Sequence, residues 1–367
     1  MTMRWLHWTT AFPHLEDPQN GLFVANALQA LSDVDHRILH VRGTAKKGTA
    51  PLPKGPWNGI RIDSPGGWTG LQWKRQVLNT MHDPVDALVL HMPNPDALPA
   101  VFWAKKQGIP VFIVEHRSAW IRKFSEKSAA YRLAMKGLFQ WADGIAVPSD
   151  ALARALREAG ISRPIASLGN PLPLPVSRKR TAGSAHRFGH LGDSIGSVKG
   201  QPSLLAAWET HVKHFPSDTL EICGDGPDRA EWEPVWGHVP GLTFLPGTPH
   251  GEVLDRMLRW DTVVVNSPVE TFGLAAAEAL DRGCTVLSTR NGGMESWGES
   301  IPALYFRPRE SGDVEDLVAA LAHMRSAQGP RSLSPDEADA FFAPLRPTAW
   351  ARDFQNWIAE QSSKKRK

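Results

Sequence analysis

Two carboxylates, Glu270 and Glu278, stand eight residues apart in the segment NSPVETFGLAAAEALDRGCTVLSTRNGGMES, residues 266–296. Thr271, Phe272, Gly273 and Leu274 follow the first carboxylate, and an alanine-rich run surrounds the second. The apolar residues up to Val265 predict a strand, and 273–281 predicts a helix. A helix that starts where a strand ends offers unpaired amides and positive dipole potential to an anion. Gly273 lets the backbone approach phosphate oxygens closely. If the whole span between the carboxylates is helical it covers ~12 Å, at about 1.5 Å per residue. That is the reach from a sugar, across a diphosphate, to a ribose. The pattern predicts a nucleotide-sugar site in which one carboxylate accepts from sugar hydroxyls and the other from ribose. The alternative is a Glu270 that stabilises its own helix and a solvated Glu278. The apolar neighbours of Glu278 disfavour it, because a carboxylate among alanines is costly without a partner.

The elements that must position these residues are short apolar runs alternating with amphipathic stretches, as in parallel βα units. Strands are predicted at 4–8, 37–41, 87–91, 110–115 and 144–147, and again at 187–191, 219–223, 242–245, 262–265 and 285–288. Helices are predicted at 96–107, 150–159, 201–214, 250–258, 273–281, 314–324 and 348–358, with Ser149 or Asp150 as an N-cap. The Pro-rich and then basic stretch PLPLPVSRKRTAGSAH breaks the pattern. The expectation is two doubly wound α/β domains, 1–170 and 186–345, a linker at 171–185, a cleft between the domains, and a final helix at 346–360 that returns to the first domain. Ligands of such sheets sit beyond the carboxyl ends of the strands.

Composition excludes several classes. A chain of 367 residues with formal net charge +3 is too weakly basic to argue for nucleic acid. Two cysteines make no disulfide framework and no metal-ligand spacing, and point to a reducing compartment. No apolar run reaches the ~20 residues of a membrane span, and the first residues lack a signal-peptide core, so a cytoplasmic protein is expected. Fifteen tryptophans exceed ordinary usage; filling cores is the plainer account and sugar stacking the sharper one. Residues 117–136 hold six basic groups against one acidic, interleaved with Trp120, Ile121, Phe124, Tyr131, Leu133 and Met135. Such a stretch predicts peripheral docking on an anionic membrane surface, against the plainer reading of a solvated helix face.

The 266–296 segment resembles the signature of retaining glycosyltransferases of family 4, which have the GT-B fold: Glu, seven residues, Glu, with Phe-Gly after the first. Gly292, Gly293 and Glu295 match its later Gly-Gly before a Glu. Cys223 to Pro227 resembles its Gly-Asp-Gly-Pro turn, Lys199-Gly200 its Lys-Gly, Gly169-Asn170-Pro171 its interdomain segment, and Asn20 to Val24 its glycine loop with Gly21. The resemblance implies that Glu270 holds donor-sugar hydroxyls and Glu278 the ribose. It implies Thr271 and the amides of Phe272, Gly273 and Leu274 at the diphosphate, with Lys199 neutralising the departing phosphates. It places Thr248 at the base and His116 beside the transferred sugar. His91, a second strand-end histidine, reads as a structural residue. His14 and Asp17 are candidates for the acceptor.

The implied reaction is metal-independent hexosyl transfer, with no cofactor, from a nucleotide-diphosphate sugar to a sugar or lipid-linked hydroxyl acceptor in polysaccharide or glycolipid synthesis. One departure stands out: where the family has Gly-Arg-Leu this chain has Gly189-His190-Leu191, followed by a longer loop before Lys199. His190 is a candidate to replace the arginine, although imidazole lacks the guanidinium fork. Competing readings are a GT-B epimerase or phosphorylase, and an inactive binding subunit. No lysine is singled out for a phosphorylase cofactor. A dehydrogenase lacks its Gly-x-Gly-x-x-Gly after the first strand.

Overall fold

The computed structural model describes residues 2–14, 20–44, 48–64, 67–79, 84–173, 185–195, 198–245, 247–297, 301–308 and 313–365. Asp17 and most of the expected linker, residues 174–184, lie outside the described residues. The chain divides into two units, Met1–Pro171 with Leu345–Lys367, and Leu172–Pro344.

The first unit runs β1 (Met3–Thr9), α1 (Leu22–Ala30), β2 (Val34–Gly43), β3 (Gly48–Pro51), β4 (Trp57–Ser64), α2 (Gly67–Asn79), β5 (Ala87–His91), α3 (Leu98–Lys106), β6 (Val111–Val114), α4 (Ala119–Arg122), α5 (Ala129–Gln140), β7 (Gly144–Val147), α6 (Asp150–Glu158) and β8 (Ile165–Ser167). Its eight strands lie in the order β3-β4-β2-β1-β5-β6-β7-β8, parallel except for β3 against β4. β5 and β6 are buried at every residue, as continuous apolar runs in a doubly covered sheet should be. The edge pair β3–β4 escapes sequence reading because Pro51, Pro53, Gly55, Pro56 and Gly59 look like a loop, and an edge tolerates them. Ser149 rather than Asp150 caps α6, its Oγ accepting from the Leu152 amide at 3.3 Å.

The second unit runs β9 (Arg187–Leu191), α7 (Gln201–His214), β10 (Thr219–Cys223), α8 (Arg229–Trp236), β11 (Leu242–Leu245), α9 (His250–Met257), β12 (Thr262–Val265), α10 (Leu274–Asp281), β13 (Thr285–Ser288), β14 (Leu304–Phe306), α11 (Val314–Met324) and α12 (Pro335–Phe342). Its six strands are all parallel, in the order β11-β10-β9-β12-β13-β14. The final helix, α13 (Pro347–Lys365), belongs to the first unit. It packs Trp350, Phe354, Trp357 and Ile358 against Trp5, Val89, Phe112 and Ala146 of that sheet. Those positions share one helical face.

In each sheet the strand order reverses at one strand, β1 in the first and β9 in the second. Ligands of open α/β sheets bind outside the carboxyl ends of strands at such reversals. Trp5, Trp8, Trp208 and Trp260 are at most 2% exposed, so much of the tryptophan excess fills cores. Among the described residues no helix is long and apolar enough to cross a membrane.

Candidate functional site

The second unit's site is built around the end of β12. Asn266 donates from Nδ2 to the Gly200 carbonyl at 2.7 Å and to Ser203 Oγ at 2.9 Å. Gly200, at φ +67°, starts α7; a Cβ there would lie 2.2 Å from the Asn266 carbonyl oxygen, so only glycine permits this approach. The contact fixes the preceding Lys199, whose Nζ lies 2.8 Å from Glu270 Oε1. Arg307, buried behind Asn266, donates to Asn266 Oδ1 at 3.2 Å, to Asp316 at 2.8 Å and to the Asp313 carbonyl at 2.9 Å. Arg307 and Asn266 thus form the rigid backing of the Lys199–Glu270 pair. Sequence reasoning gave neither a role, since Asn266 only opens the 266–296 segment and Arg307 lies beyond it.

The turn after Glu270 is clamped by the Gly-Gly segment. The Glu270 amide donates to the Asn291 carbonyl at 3.0 Å, and the Gly293 amide donates to the Glu270 carbonyl at 2.8 Å. Glu295 accepts from the Gly292 amide at 3.3 Å, so Gly292, Gly293 and Glu295 act as scaffold. Thr271 is half-buried in the turn, and Phe272 is buried with its ring edge-on to Trp297 at 5.2 Å. Gly273 adopts φ +82° and caps α10, which begins only at Leu274. The span between the carboxylates is thus turn first and helix second, as the expected helix over 273–281 implies, with a left-handed glycine between them.

Glu278 sits one turn into α10, 3% exposed, and accepts from His250 Nε2 at 2.9 Å. This hydrogen bond raises the His250 pKa above its usual value. His250 was not foreseen, although it lies two residues beyond Thr248 at the start of α9. Thr248 itself turns its hydroxyl back to the Leu245 carbonyl, at 3.4 Å.

His190 departs from expectation. Its Nδ1 lies 2.9 Å from the Val264 carbonyl, which can only accept, so Nδ1 carries the proton and Nε2 a lone pair. Burial pushes its pKa down to about 4. A neutral imidazole with its one N–H spent on the backbone cannot replace an arginine on a diphosphate, and that expectation is withdrawn. The glycine that adjoins Lys199 is Gly192, where a Cβ would lie 2.5 Å from the lysine side chain; Gly189 faces the Trp260 ring instead. Hydrogen bonds from Gly192 to Cys223, at 3.0 Å, and from Ser194 to Asp225, at 2.7 Å, join this loop to the Gly-Asp-Gly-Pro turn.

In the first unit Gly21, at φ +63°, caps α1. His116 follows β6, half-buried, with its ring 4.5 Å from that of Phe23. Burial pushes His116 down to about 4, so it is neutral at pH 7. Three further imidazoles form a buried chain across adjacent strands: His36 Nδ1 to His7 Nε2 at 2.9 Å, and His7 Nδ1 to His91 Nε2 at 3.1 Å. His36 Nε2 lies 3.0 Å from the Leu31 carbonyl and must donate to it. That proton fixes every tautomer along the chain and leaves His91 Nδ1 as a buried lone pair without a protein partner. His91 and His116 both line a small, mostly apolar cavity of about 20 Å³.

The basic stretch 117–136 is thinner than its sequence suggests. Arg117 is held by the fully buried Glu115, at 3.0 and 3.2 Å from Nε, and by Asn94 at 2.8 Å. Arg117 and the Trp120 N–H keep the Glu115 carboxyl below its ordinary range despite the burial that opposes them. Trp120, Phe124 and Met135 face the core. The interleaved-surface expectation is corrected to Arg122, Lys123, Lys127 and Leu133 as the exposed groups, the leucine 73% exposed.

Along the second unit's carboxyl edge a cation, a carboxylate, a helix N-terminus and a buried carboxylate follow one another. That order complements a sugar, a diphosphate and a ribose. Residues 20–171 match the family described as glycosyl transferase 4-like domain, and residues 185–326 match glycosyl transferases group 1. The chain is 26% identical over 232 residues to the sulfoquinovosyl transferase SQD2 of Arabidopsis thaliana, covering 58% of this chain and 42% of that protein. It is 24% identical over 213 residues to the uncharacterized glycosyltransferase YqgM of Bacillus subtilis (strain 168), covering 56% of this chain and 59% of that one. The matches thus span about half the length of these relatives. Among solved structures, sucrose-phosphate synthase from Thermosynechococcus elongatus superposes with TM-score 0.78 at 13% identity, over 98% of this chain and 100% of that one. Anabaena HepE in complex with UDP and glucose superposes with TM-score 0.74 at 15% identity, over the same shares. With both halves of the chain matched and the fold shared across nearly its whole length, this protein is a glycosyltransferase of the GT-B fold, built of a glycosyl transferase 4-like domain followed by a glycosyl transferases group 1 domain.

Proposed function

We propose that this glycosyltransferase moves a hexose-type sugar from a nucleotide-diphosphate sugar to a hydroxyl acceptor, with retention and without a metal ion. The observation that carries the reading is the Lys199–Glu270 pair at 2.8 Å, set before the N-terminus of α10 with Glu278 buried one turn further on. An arriving diphosphate takes the Lys199 ammonium and the amides of Phe272, Gly273 and Leu274, beside Thr271. Glu270 is then released to accept from the sugar's hydroxyls, while Glu278 accepts from the ribose. Thr248, next to His250, lies toward the base. His116 offers a neutral imidazole to a sugar hydroxyl.

In the reaction the bond from the anomeric carbon to the phosphate oxygen breaks, and the bond to the acceptor oxygen forms on the same face. The acceptor proton passes to a departing phosphate oxygen. Catalysis is then mainly electrostatic stabilisation of phosphate charge and positioning of two substrates. Lys199 and the helix N-terminus supply the positive potential, which supports metal independence. HepE, by its description, is held in complex with UDP and glucose, which supports a nucleotide-sugar donor. We place the acceptor among sugars or lipid-linked sugars in polysaccharide or glycolipid synthesis, on the cytoplasmic side. Peripheral docking on anionic lipid rests on Arg122, Lys123, Lys127 and Leu133. Donor hydrolysis in the presence of a chelator, with the anomer of the released sugar followed by NMR, tests the reading. Retained configuration and undiminished rate are expected. Inversion, or activity restored only by magnesium or manganese, overturns it.

A further inference from the structure

The buried carboxylate of Glu278 takes its hydrogen bond from a different helix. α9 opens on His250 behind Pro249, whose ring fixes φ at the helix start. His250 shares a helical face with Val253 and Met257, both buried, so the core holds that face in place. α9 is tied to α10 at both of its ends. His250 Nε2 lies 2.9 Å from Glu278 Oε1, and the Met257 carbonyl accepts from Cys284 Sγ, just past α10, at 3.0 Å. A carboxylate can only accept, so Nε2 carries the proton and donates. Among the described residues no other side chain hydrogen-bonds this carboxylate. Arg282, one turn further on, spends its Nη1 on the Glu278 backbone carbonyl at 3.2 Å. An ionised carboxyl offers about four lone-pair sites. His250 takes one and leaves the rest for a ligand.

A carboxylate buried among alanines lowers its cost either by turning toward water or by finding a donor. His250 is that donor, and by donating it holds the Glu278 side chain in one orientation. A pair of ribose hydroxyls is bound best by a carboxylate already in place, because ordering a flexible side chain on binding subtracts from affinity. We propose that His250 is the positioning residue for ribose recognition: it makes no contact with the donor itself and locks the Glu278 carboxylate in the orientation that accepts from both ribose hydroxyls. This rests on the reading above that Glu278 binds the ribose. The raised pKa of His250 agrees, since this same hydrogen bond is its largest cause. A merely structural clip between α9 and α10 would behave differently. Its loss would loosen base, ribose and diphosphate contacts alike, whereas loss of a positioning residue is felt only by the hydroxyls.

The experiment removes the hydroxyls from the ligand and the N–H from the protein in turn. The full chain is titrated by calorimetry with UDP, GDP and ADP, and the tightest of the three is compared with its 2′,3′-dideoxy form. Wild type should bind the dideoxy form about tenfold more weakly or worse, the usual consequence of losing hydrogen bonds to a charged group. Glu278→Ala should erase that ratio. His250→Ala should cut it by about threefold or more, the scale of ordering one side chain. Its affinity for the dideoxy form should stay at the wild-type value, which also reports that the variant folds. His250→Gln carries an N–H near the reach of Nε2 and should keep the ratio. His250→Asn places its N–H near the position of Nδ1 and should not. Three results overturn the proposal while the ribose reading stands: a wild-type ratio in His250→Ala when Glu278→Ala has lost it, equal weakening of both ligands in His250→Ala, or a His250→Gln no better than His250→Ala. The ribose reading itself fails, and this proposal with it, if none of the three nucleotides binds, if wild type does not distinguish the two forms, or if Glu278→Ala distinguishes them as wild type does.

Discussion

The two units build different side-chain chemistry onto their sheets. In the second, Lys199 pairs with Glu270 at 2.8 Å, and His250 donates to the buried Glu278 at 2.9 Å. In the first, neutral imidazoles gather: His36, His7 and His91 in a hydrogen-bonded chain, with His40 and His116 nearby in the same unit. A paired charge is an exchangeable contact, since an arriving phosphate can take the lysine and release the carboxylate. A neutral imidazole chain stores no charge but gives each nitrogen a fixed sense, donor or acceptor. The contrast teaches that the two sheets, each with one reversal of strand order, carry different side-chain chemistry: paired polar groups in the second and buried imidazoles in the first.

The sharpest way to break that contrast is Glu270→Gln, which keeps shape and removes charge. Transfer should fall by roughly 100-fold, the scale of losing one electrostatic contact to a transition state, with a smaller loss of nucleotide affinity. A wild-type rate would remove Glu270 from the site. Next, Glu278→Ala should weaken a nucleoside diphosphate by about tenfold or more in calorimetry. Unchanged affinity with the fold intact would show that its burial serves His250 alone.

The pH dependence separates the two kinds of histidine. His7 and His36 are lowered mainly by burial, His40 and His116 to about 4, and His91 to about 3. The unfolded chain binds protons below about pH 6.5 that these folded groups refuse, so stability should fall as pH drops from about 6.5 toward 4. His250 runs the other way: its contribution is complete below about pH 6.5 and is lost as pH rises through its raised folded value. Thermal unfolding of wild type and His250→Asn across pH 5 to 8 should show both falling on the acid side, with the gap between them closing on the alkaline side. A flat acid limb would mean that the imidazole chain takes up protons freely. The smallest effect concerns the surface. Changing Arg122, Lys123 and Lys127 together to Glu should abolish sedimentation with anionic vesicles at low salt and leave nucleotide affinity alone. Equal pelleting with neutral vesicles would end the electrostatic reading.

What the sequence by itself determined is local. The five strands predicted in the second half run over the predicted residues, because buried parallel strands are short apolar runs bounded by glycine and polar residues. The motif from Glu270 to Glu278 was legible for the same reason: a strand end, a glycine turn and a helix lie within a few residues of one another. The edge pair β3–β4 was not, since its prolines are tolerable only where no further strand must pair. Tertiary structure decided everything that depends on a distant partner. His190 is neutral because the surrounding core buries it, against the raising effect of its bond to Val264, 74 residues away. His7 finds its partners 29 and 84 residues away, so no spacing announces the chain. Arg117 leaves the basic surface because burial of Glu115 demands a cation, and Trp120 and Phe124 leave it because the core takes them. Lys199 reaches Glu270 only through Asn266 and Arg307. Residue type and spacing set what a side chain is able to do, whereas burial and long-range pairing set its protonation, its direction and whether any capacity is left for a ligand.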